Sequence, residues 1–190
     1  MIIASGAEAV IERVNGRVIK ERVSKRYRLE EIDRRLRRER TRAEARIISA
    51  ARRIGVPTPI IHDLEDFDIV MEYIDGRPLK EKIDADLSHK TGRVVGLLHS
   101  AGIIHGDLTT SNILHYQGRI YLIDFGLAYF DTSTEARGVD LHVFFQTLKS
   151  SHEDAERLAT AFMNGYRTTF DGADEVLSRV DEIARRGRYA

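Results

Sequence analysis

Two polar motifs constrain the fold of this 190-residue chain more than any other feature. The first is Asp107-Leu108-Thr109-Thr110-Ser111-Asn112, and the second, Asp124-Phe125-Gly126, begins twelve residues after Asn112. Apolar residues flank both motifs, which predicts that short strands end beside them. Carboxylate and amide oxygens are the ligands that Mg²⁺ prefers, and a further carboxylate nearby can orient a phosphate acceptor. The spacing therefore predicts phosphoryl transfer, with Asn112 and Asp124 as metal ligands and Asp107 as the catalytic carboxylate.

The composition excludes several other classes of protein. Hydrophobic residues make up 42% of the chain, charged residues make up 32%, and the formal net charge is +0. No run approaches the roughly 20 apolar residues that span a bilayer, and the first six residues lack the basic region of a secretion signal. With no cysteine, neither disulfides nor thiolate ligands can form. We expect a cytoplasmic protein, and the 24 arginines among its 30 basic residues resemble the usage of a thermophile.

Strand patterns occupy the first third of the chain, and helix patterns occupy most of the rest. Asn15-Gly16 predicts a type I′ turn between strands at 10–14 and 17–20. Apolar spacings of three, four or seven then predict one long helix from about residue 27 to 54. Further strands are predicted at 60–61, 69–73, 113–114 and 120–123, and further helices at 88–100 (with Ser88 as N-cap), 139–149, 152–170 and 174–185. The predicted fold class is α+β, with a strand-rich lobe at 1–74 and a helical lobe at 75–190.

The motifs resemble those of protein kinases. The segment from His105 to Asn112 is similar to the kinase catalytic loop, and Asp124-Phe125-Gly126 matches the metal-binding triad of that family. The resemblance implies a minimal bilobal kinase-like fold that uses ATP and Mg²⁺. In that fold Lys20 would act in catalysis by gripping the α- and β-phosphates, with Glu44 as its ion-pair partner. Further nucleotide contacts are implied. The backbone N–H groups of Gly6, Ala7 and Glu8 would face the phosphates, and the backbone of Met71, Glu72 and Ile74 would contact the adenine edge. The base would be enclosed by Val10, Val18, Met71, Leu114 and Ile123.

The chain departs from typical kinases in two places. Gly106 replaces the arginine that reads a phosphorylated activation loop. Only fifteen residues separate Asp124 from Asp140, and they contain no Ala-Pro-Glu triplet. Asp140 itself resembles the helix aspartate that supports the catalytic loop. The resemblance therefore implies a short helical lobe that lacks the activation segment and its peptide-docking platform.

Three segments narrow the resemblance to one group: the turn at 5–9, the arginine-rich stretch at 38–46 and the Arg-Gly-Arg tail at 186–188. Together with the motifs, they resemble the atypical kinase and ATPase subunit of the KEOPS (EKC) complex, the PRPK family, in its archaeal single-domain form. Members bind the threonylcarbamoyl-transferase subunit that makes threonylcarbamoyladenosine in tRNA, and a small regulatory subunit. They hydrolyse ATP in the complex and phosphorylate serines weakly, including their own.

Two alternatives stay open at this point. Small-molecule phosphotransferases of the aminoglycoside or choline type share the His-Gly-Asp loop, but they need a large helical insert, and only 78 residues follow Asn112. The other alternative is a non-catalytic nucleotide-binding or RNA-binding scaffold. Between Lys20 and Arg53 there are 14 basic and 6 acidic residues. That stretch, with the basic tail, predicts either an ion-paired helix face or a contact with tRNA.

Overall fold

The N-terminal lobe is an antiparallel sheet with one long helix against it. The computed structural model describes residues 1–6 and 8–186. The sheet has the strand order β1-β2-β3-β5-β4. Its elements are β1 Ile2–Ser5, β2 Ala9–Val14, β3 Arg17–Arg22, α1 Glu30–Arg53, β4 Ile61–Leu64 and β5 Asp68–Glu72.

The predicted hairpin and long helix are both confirmed. Asn15 and Gly16 have φ of 49° and 75°, as a type I′ turn between β2 and β3 requires. Helix α1 turns Ala45 inward to pack with Ile69 and Met71 of β5. The helix thereby packs against the face of the sheet that carries Val18 and Lys20 of β3.

The C-terminal lobe contains the larger core. Two small antiparallel sheets, β6-β8-β9 and β7-β10, lie beside four helices. Fully buried side chains from all four helices, among them Leu98, Phe144, Phe162 and Val176, form one continuous hydrophobic cluster. The elements are β6 Arg77–Pro78, α2 Ala85–Ser100, β7 Ile103–Ile104, β8 Ile113–Tyr116, β9 Arg119–Leu122, β10 Tyr129–Phe130, α3 Thr134–Ser151, α4 Ala155–Arg167 and α5 Ala173–Arg186.

Helices α2 and α4 cross at glycines. A Cβ atom on Gly92 would lie 2.0 Å from the Phe162 carbonyl oxygen, and one on Gly165 would lie 1.9 Å from the His89 carbonyl oxygen. Both contacts are with backbone, which cannot move aside as a flexible side chain can. The two glycines therefore set how closely the helix that precedes the first motif packs into the core.

Helices α1 and α4 each begin three residues after the expected start, and α2 and α3 begin before it because of their caps. The N-cap of α2 is Asp84, whose side chain accepts a hydrogen bond from Leu87 N at 2.9 Å. Ser88 is buried inside the first turn, and its hydroxyl donates to the Leu158 carbonyl at 2.7 Å. Helix α3 begins five residues before the expected start, because Ser133 caps it by accepting from Ala136 N.

No helix within residues 1–6 and 8–186 is both long and apolar enough to cross a bilayer. The proposed boundary between the lobes, after residue 74, falls between β5 and β6. The α+β architecture predicted for the chain is the one observed, and the predicted motifs lie where the two lobes meet.

Candidate active site

A buried carboxylate holds the loop that carries the first motif. Asp140 of α3 accepts hydrogen bonds from the backbone N–H groups of His105 and Gly106, both at 2.9 Å. His99 Nε2 donates to the same carboxylate at 3.1 Å. Burial would raise the pKa of Asp140, but the hydrogen bonds from His99 and His105 outweigh it and lower that pKa below its ordinary value. Asp140 is therefore ionised, and its carboxylate holds the backbone of the loop in place through these hydrogen bonds.

His105 connects this loop to the strand that leads to the second motif. Its Nδ1 accepts from Asp107 N at 3.3 Å, so Nε2 carries the proton that is donated to the Ile123 carbonyl at 3.0 Å. The ring also packs against Phe125, with centroids 4.8 Å apart. Burial is the largest influence on His105 and lowers its pKa, which keeps the imidazole neutral.

The predicted catalytic carboxylate and one predicted metal ligand touch each other. Asn112 Nδ2 donates to both the carbonyl oxygen and the carboxylate of Asp107, at 3.0 and 2.9 Å. Because the amide nitrogen is used in this way, the amide oxygen of Asn112 is left to accept or to bind a cation. Ile123 N donates to the Asn112 carbonyl, which places the two motifs side by side.

Asp124 occupies a strained backbone conformation at the end of β9. Its φ is 60°, in the left-handed region that costs a non-glycine residue about 1 kcal/mol or more. Its Oδ1 lies 2.6 Å from Lys20 Nζ and 3.3 Å from Gly126 N. Burial would raise the pKa of Asp124, but the Lys20 ammonium and the hydrogen bonds lower it overall. The side chain stays 41% exposed, so an ionised carboxylate faces the space between the lobes.

The predicted pair of Lys20 and Glu44 is present, and a third residue joins it. Lys20 Nζ lies 2.6 Å from Glu44 Oε1, while Arg22 Nη2 lies 2.5 Å from Glu44 Oε2. All three side chains are at least nine-tenths buried. Sequence reasoning missed Arg22. The signal was available, because alternate residues of a strand share a face and Arg22 stands two positions after Lys20.

A cavity of about 490 Å³ lies between the lobes next to these charges. Val10, expected at the adenine, does not line it, because β2 turns Ile11 toward Lys20 and pairs Val10 with Glu21 on the other face. The structure does bring most of the expected residues together here, and the cavity is lined among others by Val18, Lys20, Glu44, Met71, Glu72, Ile74, Asn112, Leu114, Ile123 and Asp124.

A second cavity, of about 380 Å³, lies under the turn between β1 and β2. Gly6 and Glu8 line it together with Asp107, Lys20 and Asp124. The Gly6 N–H, expected to face phosphate, donates within the turn to the Ala9 carbonyl at 3.0 Å. Ala7 lies outside the described residues.

The Glu8 carboxylate connects the same turn to α1, because it lies 2.8 Å from Arg40 Nη1. It also lies 3.7 Å from Lys25 Nζ, in the segment between β3 and α1.

The donor set fits a magnesium ion that is held together with a nucleotide. In the described part of the chain, no group of three or more His, Asp or Glu residues is arranged to cage a metal. Asn112 and Asp124 instead offer one amide and one carboxylate oxygen on the same cavity. Mg²⁺ bound to phosphates characteristically takes only one or two protein ligands, so these two suffice.

The basic stretch on α1 is largely ion-paired within the lobe. Arg38 lies 2.6 Å from Asp66, and Arg37 lies 2.8 Å from the buried Asp33. Each acidic partner comes from α1 or from a neighbouring turn, so this face matches the ion-paired alternative. Of the predicted tail, Arg186 contacts Glu135 of α3 at 3.7 Å, and residues 187–190 lie outside the described part.

Comparison with known proteins supplies the family context. The RIO domain model matches residues 11–138. A Methanosarcina mazei protein described as a "probable bifunctional tRNA threonylcarbamoyladenosine biosynthesis protein" is 57% identical over all of this chain. The chain spans only 36% of that relative's length. An Archaeoglobus fulgidus protein described as a "probable serine/threonine-protein kinase BUD32 homolog" is 50% identical over all of this chain and 96% of its own length.

Solved structures share the fold at low sequence identity. WaaP, solved in complex with acyl carrier protein, has a TM-score of 0.66 and 17% identity over 97% of this chain and 87% of its own. The Rio2 kinase of Chaetomium thermophilum, in an ADP/Mg²⁺-phosphoaspartate complex, has a TM-score of 0.60 and 18% identity over 96% of this chain and 70% of its own. At such identity the likeness concerns the fold alone, and that fold is kinase-like.

Proposed function

Because this chain belongs to the RIO domain family, in the group of the BUD32 homologues, we propose that it is an atypical serine/threonine protein kinase and ATPase. One observation carries the proposal: Lys20, Asp107, Asn112 and Asp124 converge on two adjoining cavities between the lobes. These side chains bear the charges and donors that a triphosphate and its metal ion require. The apolar residues deeper in the larger cavity suit an adenine ring.

Each polar side chain has a distinct part in the proposed reaction. Lys20 contacts the α- and β-phosphates, and Glu44 holds its ammonium in place. Asn112 and Asp124 hold Mg²⁺, which when bound offsets the negative charge of the phosphate oxygens. Asp107 accepts the hydrogen bond of the attacking hydroxyl and takes its proton, while Asn112 Nδ2 keeps that carboxylate oriented.

The site has little selectivity for the group that accepts the phosphate. This acceptor is a hydroxyl group, either of a protein serine or of water. β10 pairs with β7 directly after the second motif, and α3 begins at Thr134. Among the described residues, this leaves no segment that could form a peptide-docking platform. The small-molecule alternative is disfavoured, because α3, α4 and α5 all pack into the core and form no separate substrate-binding insert.

We further propose that the chain acts within the KEOPS complex, beside the threonylcarbamoyl-transferase subunit and the small regulatory subunit. The Methanosarcina mazei relative contains a sequence similar to this chain within a much longer protein. Its name, which refers to tRNA threonylcarbamoyladenosine biosynthesis, supports a role in tRNA modification. Such a role would place the protein in the cytoplasm, where tRNA is modified. The tail at 186–188 is our first candidate for a tRNA contact, and the exposed arginines of α1 could contribute only by exchanging their carboxylate partners for phosphate.

The test is the loss of one metal ligand. Phosphate release and transfer from γ-labelled ATP in the presence of Mg²⁺ should be measurable for the wild type and absent for Asp124→Ala. The exposed Asp171→Ala variant is the matched control and should keep wild-type turnover. Wild-type turnover in a folded Asp124→Ala protein would refute the metal assignment. Tight ATP binding by the wild type without any turnover would instead favour the scaffold alternative.

A further inference from the structure

Arg22 is a buried charge beside the site to which the proposed reaction gives no role. Arg22 lies on the same face of β3 as Lys20. Its strand partner is Ala9, so it lies closer than Lys20 to the turn between β1 and β2, which covers the cavity of about 380 Å³ where the phosphates would bind. Its side chain is only 5% exposed. It nevertheless lines the cavity that Gly6, Asp107 and Asp124 share.

Arg22 also keeps hydrogen-bonding capacity in reserve. Its Nη2 is bound to Glu44, but its Nε is buried and has no hydrogen-bond partner within the described residues. A buried donor without a partner is costly unless something satisfies it in the working state. A guanidinium on the wall of a phosphate cavity is suited to an anion, which it can bind in a planar geometry.

The charge balance of the cluster depends on Arg22. Lys20 and Glu44 alone would form a neutral pair, which attracts a triphosphate weakly. With Arg22 on the second Glu44 oxygen, the three buried side chains carry a net charge of +1. The remaining neighbour, Asp124, belongs to the proposed metal site, so its negative charge is taken up by the metal ion. Arg22 therefore makes the anchor positive toward phosphate while Glu44 still holds Lys20 in place.

We infer that Arg22 is a positioning residue of the nucleotide site, which makes the Lys20–Glu44 anchor net positive and so selects for the phosphates of the nucleotide. This inference rests on the proposed ATP-dependent function and adds a determinant of phosphate affinity to it. A substitution at Arg22 should affect ligands in proportion to their phosphate charge. A purely structural role would weaken every ligand of the cleft alike.

The experiment measures the binding of ATP, ADP and adenosine by calorimetry, with Mg²⁺, to wild type, Arg22→Met and Arg22→Lys. Arg22→Met should weaken ATP binding by about tenfold or more, weaken ADP binding less, and leave adenosine binding unchanged. Arg22→Lys restores the charge and should recover most of the affinity for ATP. Arg17→Met, at the exposed end of the same strand, is the matched control and should bind all three ligands as the wild type does.

Two results would overturn the inference for Arg22 alone: equal affinity of Arg22→Met and wild type for ATP, or an equal loss for ATP and adenosine. If Arg22→Met does not fold, Arg22→Gln carries the same test, because its amide can still donate to Glu44. A wild-type protein that bound no ATP would instead refute the proposed function itself.

Discussion

At the scale of single residues, the site depends on side chains that orient one another. Asp107 is held by Asn112 Nδ2 at 2.9 Å, and its own backbone N–H is held by His105. Its position is therefore set by neighbours, and its charge is free for the attacking group. Binding and turnover should be separable at this residue.

We expect Asp107→Asn to retain ATP binding and to lower turnover by about 10²-fold or more, the usual loss when a positioned base is removed. The substitution keeps the size of the side chain but not its charge. Calorimetry and steady-state phosphate release on the same preparation would check it. If ATP affinity fell as far as turnover did, Asp107 would serve the structure and not the chemistry.

The lowered pKa of His105 predicts how the free energy of unfolding varies with pH. Burial lowers its pKa below the ordinary value of about 6.5, so the unfolded chain binds this proton more readily than the folded one. The stability that the neutral ring contributes is present above about pH 6.5 and is lost as the pH falls below it. Asp124 and Asp140 have lowered pKa values, so their contribution is lost only at a lower pH, below about 4.

Chemical unfolding at pH 7.5, 6.5 and 5.5 would measure this dependence. The free energy of unfolding should decrease along the series in the wild type, and the decrease should be smaller in His105→Gln. The exposed His62→Gln variant should follow the wild type. Identical slopes for His105→Gln and wild type would show that another group is responsible.

At the scale of elements, Gly106 shows what the loop of the first motif requires of the segment packed on it. Its φ is +79°, and a Cβ atom there would lie 2.3 Å from the Leu127 carbonyl oxygen. The segment after the second motif therefore packs directly on the loop, in the position where a side chain would otherwise stand. The absence of a side chain at position 106 is thus required by the packing of Leu127.

Gly106→Ala should destabilise the protein by about 3 kcal/mol or more, because it combines backbone strain with a clash against backbone. Turnover should fall with it, since Asp107 is the next residue. Gly118→Ala is the matched control: its φ is +77°, but nothing lies within 4 Å of the added atom. It should cost only about 1 kcal/mol. Thermal unfolding of the two variants would compare them, and equal losses would exclude the clash as the cause.

At the scale of the whole molecule, the two lobes meet through charges that must stay aligned. Lys20 from β3, Glu44 from α1 and Asp124 from the C-terminal lobe form one chain of contacts, at 2.6 Å each. Among the described residues, no activation segment is present to order this chain of contacts. A partner that touches both lobes is therefore the expected source of order.

We expect the isolated protein to turn ATP over slowly, and to do so faster with its partner subunit and tRNA. Removal of residues 187–190 leaves the Arg186–Glu135 contact in place and should lower activity in the complex, while ATP affinity of the isolated chain hardly changes. Phosphate release would be compared for the subunit alone, with partner, and with partner plus tRNA. Equal rates in all three, for full-length and shortened protein alike, would contradict this mode of regulation.

Features that depend on near neighbours in the chain could be predicted from the sequence. The Asn15-Gly16 turn, the long helix α1 and the spacing of the two motifs follow from local backbone preferences and from side-chain periodicity. The kinase-like fold and the meeting of Lys20, Glu44 and Asp124 were expected only through the resemblance of the motifs to those of protein kinases, because local preferences do not specify contacts across 24 and 104 residues.

Features that depend on residues far apart in sequence became visible only in the folded structure. It placed Ile11 at the cavity in the position expected for Val10, through the register of β2 on β3. It brought Arg22 onto Glu44, 22 residues later in the chain. It also required glycine at 106, because Leu127 packs there. Local preference cannot specify such contacts, since their energy comes from packing and charge between elements whose relative position is set by the folded core.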